Sequence, residues 1–377
     1  MPLGNSLSKR EARAGAVAWA IVDMIRERHT LTELGWKPVF QQQIPLEEWN
    51  AGFPVRVIEV HRSHVVVAGE RGDESLTFSE HFFEYEDALP TVGDWLLVDS
   101  TTRRVLRRLE RLSLFERVKP GGRAETQLIA ANVDTLFVMT SCNEEFKLSR
   151  VERYLSLAHE AGAEPVVVLT KADLCEDPQR YAAQVRAMDR RVACVFLDAR
   201  SAKALQTLAP WLREGETVAL LGSSGTGKST LLNTMLGREK QDTRAVRETD
   251  KRGRHTTTFR SLHVLPGGGI VIDSPGMREL NLGDKGDGIA DTFQDVETLA
   301  AQCRFHDCRH ATEPDCAVKA AVADGTLDAR RVANYLKLQE EQARHRQTLG
   351  ERRQRDRVLG RFYKTVMKAT RDRKKSG

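Results

Sequence analysis

Residues Thr217 to Leu236 read TVALLGSSGTGKSTLLNTML. An apolar run enters a glycine-rich turn that opens directly into a helix-patterned stretch, which is the order of parts from which a phosphate-binding loop is built. Gly222, Gly225 and Gly227 let the backbone curl so that its N–H groups point inward at phosphate oxygens, and the start of the helix adds positive potential. The expected phosphate contacts are Gly222, Ser223, Ser224, Gly225, Thr226, Gly227, Lys228, Ser229 and Thr230. Lys228 is placed to reach the β- and γ-phosphates, and Ser229 to bind magnesium.

A phosphate loop does not choose the base. TKAD, from Thr170 to Asp173, does so: it follows the apolar strand PVVVL and so stands at the carboxyl edge of a sheet, where ligands of α/β proteins bind. The Asp173 carboxylate can accept from the guanine ring N–H and exocyclic amine together, a donor pair that adenine lacks. Lys171 would lay its stem along the ring, with Thr170 and Ala172 completing the motif. A segment supporting the base from the other side is degenerate. LDARSAK offers Ala199, just after a strand, or Ala202, and Ala199 is favoured.

Asp273 ends the apolar strand GIVID and begins DSPG. An acid there holds magnesium through water, and the N–H of Gly276 can contact the γ-phosphate. Between the phosphate loop and this motif lies RGRHTTTFRSL, where Thr256, Thr257 and Thr258 each offer a hydroxyl for magnesium; Thr256 and Thr257 are the expected ligands. Together the motifs predict a GTPase. Their order is permuted, because in Ras-like enzymes the phosphate loop comes first and the base-reading motif fourth, whereas TKAD here precedes the loop and DSPG comes last. The segment after Asp273 then leads straight into the C-terminal region, so nucleotide-dependent ordering there can pull on that region.

Strands VDTLFVMT, PVVVLT, VACVFLD and TVALLG alternate with helices around Leu148 to Ala161 and Pro178 to Met188, the pattern of a parallel sheet covered on both faces. Before them, VRVIEV, HVVVAGE, DWLLVD and RRVLRRLE are short alternating runs separated by polar turns, which predict a small β-barrel of OB type. A barrel that only packs against its neighbour is the plainer alternative. The first residues contain AGAVAWAIVDMIRERH, apolar at helical spacing. The expected class is therefore α/β, with a helical N-terminal extension at 1–45, a barrel at 46–118, a permuted P-loop GTPase domain at 119–290, and a zinc-binding, basic helical region at 291–377.

CRFHDCRHATEPDC places Cys303, Cys308, His310 and Cys316 in one short loop. Three thiolates and an imidazole form a closed tetrahedral set, the pattern of one structural zinc, with His306 as a substitute for His310. The remaining three of six cysteines, Cys142, Cys175 and Cys194, are scattered in or beside apolar segments and read as reduced core thiols. The last 27 residues, ERRQRDRVLGRFYKTVMKATRDRKKSG, carry eleven Lys and Arg against three acids. That density favours phosphate contacts with RNA over a merely solvated helix, although the formal charge of the whole chain is only +5. No apolar run approaches the roughly 20 residues of a membrane span. Neither a secretory signal nor a transit peptide is recognisable, since Glu11, Asp23 and Glu27 interrupt the basic N-terminal stretch, so a cytoplasmic monomer is expected.

The permuted order, the GRHTTT and DSPG segments, the preceding barrel and the cysteine cluster together resemble the ribosome small subunit-dependent GTPase A family (RsgA, also called YjeQ or EngC). The resemblance runs from about Leu31 to beyond Cys316. It implies hydrolysis of GTP to GDP stimulated by the small ribosomal subunit, late maturation of that subunit, and contact of the barrel and C-terminal region with 16S ribosomal RNA. One departure from Ras-like enzymes matters: Met277 stands after the DSPG glycine, where they carry the glutamine that orients water. A thioether cannot do that, and His255 in GRHTTT is the expected replacement, ordered when the subunit binds. Two other readings stay open. One is a nucleotide-gated RNA-binding module in which hydrolysis is incidental. The other is an ATP-dependent kinase or ATPase, which TKAD opposes.

Overall fold

The computed structural model describes residues 28–61, 63–77, 89–118, 126–237, 260–274, 277, 280 and 287–344. The helix expected over AGAVAWAIVDMIRERH falls almost wholly outside them, as do the GRHTTT segment, Pro275, Gly276 and the basic tail.

Two short helices, α1 (Pro38–Gln41) and α2 (Leu46–Ala51), lead into β1 (Gly52–Val60), β2 (His64–Ala68), β3 (Glu74–Thr77), β4 (Trp95–Asp99) and β5 (Val105–Arg108). These pair antiparallel in the order β3-β2-β1-β4-β5. Among the described residues no pairing joins β3 to β5, so the predicted barrel is seen as a five-stranded sheet. Alternation puts Val55, Val57, Val65, Val67, Leu96 and Val98 into one core. The opposite face, with Trp95, Leu97 and Leu109, is covered by Leu34, Phe40 and Ile44 of the segment before β1, and Trp36 meets Trp95 edge-on at 4.8 Å.

A hairpin of β6 (Leu114–Val118) and β7 (Thr126–Ala131) leads to the second unit. There β8 (Thr135–Ser141), α3 (Leu148–Ala161), β9 (Glu164–Thr170), α4 (Pro178–Met188), β10 (Ala193–Phe196), α5 (Lys203–Leu208), β11 (Thr217–Gly222), α6 (Lys228–Met235), β12 (Ser261–Val264) and β13 (Ile270–Asp273) follow in sequence. The strands stand in the order β10-β9-β8-β11-β13-β12, parallel except for the last, β12, which runs antiparallel to β13. Leu136 and Val138 pack on one face with Val151 and Leu155 of α3, and Phe137 and Met139 on the other with Leu231 and Met235 of α6. Chain signals set the helix ends: Asp177 accepts the Arg180 N–H ahead of Pro178, and Gly162 closes α3 at φ +81.

The two units share one eleven-stranded sheet, because β12 pairs antiparallel with β1 in the register Glu59 to Ser261. Arg56 of β1 is 1 % exposed at their junction and donates to the carbonyls of Leu34, Gly93 and Asn132. Desolvation pulls its guanidinium down to about 10, against the pull of Asp134 and Asp94, and it stays charged at neutral pH. Gly93 sits at φ +92 with the Ala131 carbonyl oxygen 2.0 Å from where a Cβ would stand. That oxygen is backbone and cannot swing aside, so Gly93→Ala should destabilise the protein by about 3 kcal/mol, readable as a shifted denaturant midpoint. A loss below about 1 kcal/mol would mean that the junction yields instead.

The C-terminal region adds α7 (Asp287–Thr292), α8 (Gln294–Ala300), α9 (Ala317–Ala323) and a helix α10 over 329–344. α7 lies so close on α3 that a Cβ on Gly288 would meet the Ser156 carbonyl oxygen at 2.1 Å. Glu152 of α3, 0 % exposed, accepts from Arg330 at 2.9 and 3.0 Å, Arg331 at 3.0 Å and Asn334 at 2.6 Å. Arg331 also reaches Asp295 at 2.7 Å and the Thr292 carbonyl at 2.8 Å. This network fastens α8 and α10 to the sheet through one helix. No helix among the described residues is long and apolar enough to cross a membrane.

Candidate functional site

Parallel strands all end at the same edge, so loops far apart in the chain meet there. TKAD follows β9, Ala199 follows β10, the glycine-rich loop joins β11 to α6, and Asp273 is the last residue of β13. Gly225 and Gly227 take φ +81 and +87, conformations that turn successive N–H groups toward the loop's centre. Gly222 approaches β8 so closely that a Cβ would lie 2.4 Å from the Met139 carbonyl oxygen. Lys228 folds its ammonium back onto the loop, 2.6 Å from the Gly222 carbonyl and 2.5 Å from that of Ser223. Tyr154, one turn along α3, places its hydroxyl 3.5 Å from Ser223 Oγ.

The base-reading motif is tied to this loop through Thr170. Its buried hydroxyl lies 2.8 Å from the Thr226 carbonyl and 3.2 Å from that of Thr140. Lys171 then takes the left-handed conformation at φ +57, and Ala172 to Leu174 form a single 3-10 turn that carries Asp173 outward. Ala199 is buried, stands 3.7 Å from where a Cβ on Gly227 would lie, and accepts the Thr234 hydroxyl at 2.7 Å. Ala202 instead precedes α5 as its N-cap, away from these contacts. Met277 is 2 % exposed in a core that includes Ile289, Phe293 and Val296, so its side chain is fixed in packing. His255, Thr256, Thr257 and Gly276 lie outside the described residues.

A second constellation lies between α8 and α9. The donor atoms of Cys303, Cys308, His310 and Cys316 all fall within 4.8 Å of one another. Cys303 and Cys316 sulfurs are 3.8 Å apart, and His310 Nδ1 is 3.6 and 3.4 Å from them. His306 points away, 99 % exposed, and is not part of the cluster. The loop is shaped by His310 and Asp315, both left-handed at φ +58 and +55. Backbone N–H groups of Glu313 itself, Arg309, Ala311 and Thr312 hold the Glu313 carboxyl down at about 2, so it is ionised wherever the protein is folded near neutral pH. By contrast, burial pushes the Cys142 thiol up to about 12 and that of Cys194 up to about 11, which keeps both protonated and unreactive.

Arg200 was not foreseen. It stands beside Ala199 and bonds to both Asp173 and Asp198. The sequence signal was present in two acids that follow adjacent parallel strands and need a cation between them.

The RsgA GTPase family matches residues 108–283. A small ribosomal subunit biogenesis GTPase RsgA 2 of Vibrio parahaemolyticus is 47% identical over 355 residues, covering 94% of this chain and 97% of that protein. A small ribosomal subunit biogenesis GTPase RsgA of Mesorhizobium japonicum is 47% identical over 83% of this chain and 90% of its own. Among solved structures, YjeQ from Thermotoga maritima aligns with a TM-score of 0.59 at 26% identity, covering 78% of this chain and 99% of that one. YloQ, described as a circularly permuted GTPase, aligns with a TM-score of 0.54 at 24% identity over 78% of this chain and 96% of its own, a likeness of fold.

Proposed function

This chain belongs to the RsgA GTPase family, and we propose that it is a GTP-hydrolysing factor in late maturation of the small ribosomal subunit, stimulated by that subunit. The observation that carries the reading is the permuted motif set on one sheet edge, with Thr170 locking the base-reading turn to the phosphate loop. GTP lies across that edge. Backbone N–H groups of Ser223 to Thr230 cradle the phosphates, Lys228 leaves the loop carbonyls for the β- and γ-oxygens, and Asp173 reads the guanine with Ala199 behind it. Magnesium, brought with GTP, offsets charge on the transferring phosphoryl group. Ser229, Asp273, Thr256 and Thr257 are the residues that would hold it, and Gly276 would contact the γ-phosphate.

Met277 is fixed in the core and its thioether offers no water-orienting group, so the role is assigned to a segment that the subunit would order on binding. His255 is the proposed residue. The barrel and the basic C-terminal tail are proposed to hold 16S ribosomal RNA. The shared sheet offers a route for the signal, since β12 follows the GRHTTT segment and pairs with β1 of the barrel. The protein is proposed to work as a cytoplasmic monomer, divided as 1–45, 46–118 (an OB-type barrel), 119–290 and 291–377.

Cys303, Cys308, His310 and Cys316 would hold one structural zinc. Thiolates about 2.3 Å from a tetrahedral ion stand about 3.8 Å apart, and a thiolate and an imidazole nitrogen about 3.5 Å, close to the 3.8, 3.6 and 3.4 Å among Cys303, Cys316 and His310, with Cys308 inside the 4.8 Å that spans the set. All four positions are filled by protein, so the ion would stabilise and not catalyse.

The deciding experiment measures GTP and ATP turnover with and without purified small subunits. Turnover of GTP alone, rising at least tenfold on adding subunits, is expected; turnover indifferent to subunits would leave only a GTPase of another role. In the same assay His255→Ala should abolish the stimulated rate and spare GTP binding. Undiminished stimulation would remove His255 from catalysis.

A further inference from the structure

At the rim where the guanine is proposed to lie, two acids converge. Asp173 is carried out by the turn after β9, and Asp198 by the loop after β10, and the two loops touch through the Ala172 N–H and the Leu197 carbonyl at 3.4 Å. Arg200 lies between them. Its backbone N–H and its Nε each donate to Asp198 Oδ1 at 3.0 Å, and its Nη2 reaches Asp173 Oδ2 at 2.6 Å. Asp173 Oδ1 takes no part in that bond. Hydrogen bonds donated to Asp198, then the charges of both acids, raise the Arg200 guanidinium above its ordinary value.

We propose that Arg200 is a positioning residue for base recognition: braced on Asp198, it holds the Asp173 carboxylate in the plane and rotation that guanine requires. The proposal rests on the reading of Asp173 as the guanine acceptor. The physical reason is that a carboxylate accepts at about four lone-pair sites, so one lateral site of Oδ2 can stay on the guanidinium while the outward sites take the ring N–H and the exocyclic amine. Arginine suits this bridge because its planar fork serves two acceptors in fixed directions. Without it, Asp173 loses the guanidinium that stands between it and Asp198. Like charges turn the carboxylate away, and its rotation must be frozen again each time a base binds.

Guanine and hypoxanthine differ only in the exocyclic amine, which makes GTP against ITP the sensitive comparison. Arg200→Ala should raise the KM for GTP by about 3- to 10-fold, the scale of immobilising one side chain, with a smaller change in kcat. The preference for GTP over ITP should fall by a similar factor. Arg200→Lys, which keeps the charge but not the fork, should recover part of the affinity and less of the preference. Arg200 is 51 % exposed on its side chain, so these variants should fold, and an unchanged thermal midpoint checks it. An Arg200→Ala protein with the parent's KM and GTP:ITP ratio overturns the proposal. Asp173→Ala separates the two layers: it should abolish the preference altogether. If the preference survives in Asp173→Ala, the base-reading assignment fails and the role of Arg200 falls with it.

Discussion

Lys228→Ala should lower GTP turnover by about 100- to 1000-fold, the cost of deleting one preorganised group that meets developing charge, while the thermal midpoint moves little. The two effects separate because of where the ammonium rests. It spans the carbonyls of Gly222 and Ser223, at 2.6 and 2.5 Å, on a part-buried rim where water can replace it. Those bonds stabilise the fold weakly. With triphosphate in the loop the same ammonium would turn to the β- and γ-oxygens, where phosphoryl transfer spreads negative charge and where positioning and electrostatics supply nearly all the catalysis. Lys228→Arg should not rescue the rate: a planar fork is larger than the compact ammonium that the loop encloses against Thr226. Single-turnover hydrolysis at saturating GTP, with melting curves on the same samples, checks both halves. A rate within about threefold of the parent would take Lys228 out of transition-state stabilisation.

The sheet edge that holds Lys228 was legible because its signals are local. A strand buried on both faces must be apolar throughout, so PVVVLT and TVALLG announced themselves, and Pro178 and Gly162 marked helix ends where the structure places them. β3 and β12 went unread, since ESLT and SLHV are four-residue strands with too few apolar positions to show a period. The charged residues that organise the interior were harder still. Arg56 sits within VRVIEV and Glu152 in the middle of α3, where a charged side chain ordinarily faces solvent, yet they are 1 % and 0 % exposed. Their burial is made tolerable by partners distant in the chain: carbonyls of Leu34, Gly93 and Asn132 for one, and Arg330, Arg331 and Asn334 for the other. Pairing of that kind leaves no trace in a local window. Arg200 belongs to the same class, since nothing in LDARSAK alone tells that Asp173 will arrive beside it.

Removing the zinc proposed at Cys303, Cys308, His310 and Cys316 should have the largest effect on folding, and it should be confined to one part of the molecule. Structural zinc contributes about 10–16 kcal/mol to the folding of isolated zinc-finger peptides near pH 7. Besides the four donors, the loop from Cys303 to Cys316 is held by the exposed Arg304–Asp315 pair at 2.8 Å and the N–H bonds gathered by Glu313, with left-handed conformations at His310 and Asp315 and exposed side chains at Phe305 and His306. Cys316 also begins α9, its sulfur accepting the Lys319 N–H at 3.5 Å, so Cys316→Ala removes a ligand and a helix cap together. The rest of the C-terminal region has its own attachments. Val318, Ala321 and Leu327 share a core with α3, and Arg331 remains bound to Glu152. Chelation or Cys316→Ala should therefore melt the loop and the start of α9 while the parallel sheet keeps its protection and its GTP affinity. Hydrogen exchange after chelation should show fast amides over 303–320 against a protected β8 and β11, and metal analysis should find one zinc per chain before chelation and none after. Cys308→Ala should reproduce the pattern, and Cys175→Ala, outside the cluster, should not. Stoichiometric zinc retained in Cys316→Ala, or a loop equally protected without metal, would mean that packing and the Glu313 bonds are sufficient and that the four donors are not a structural site.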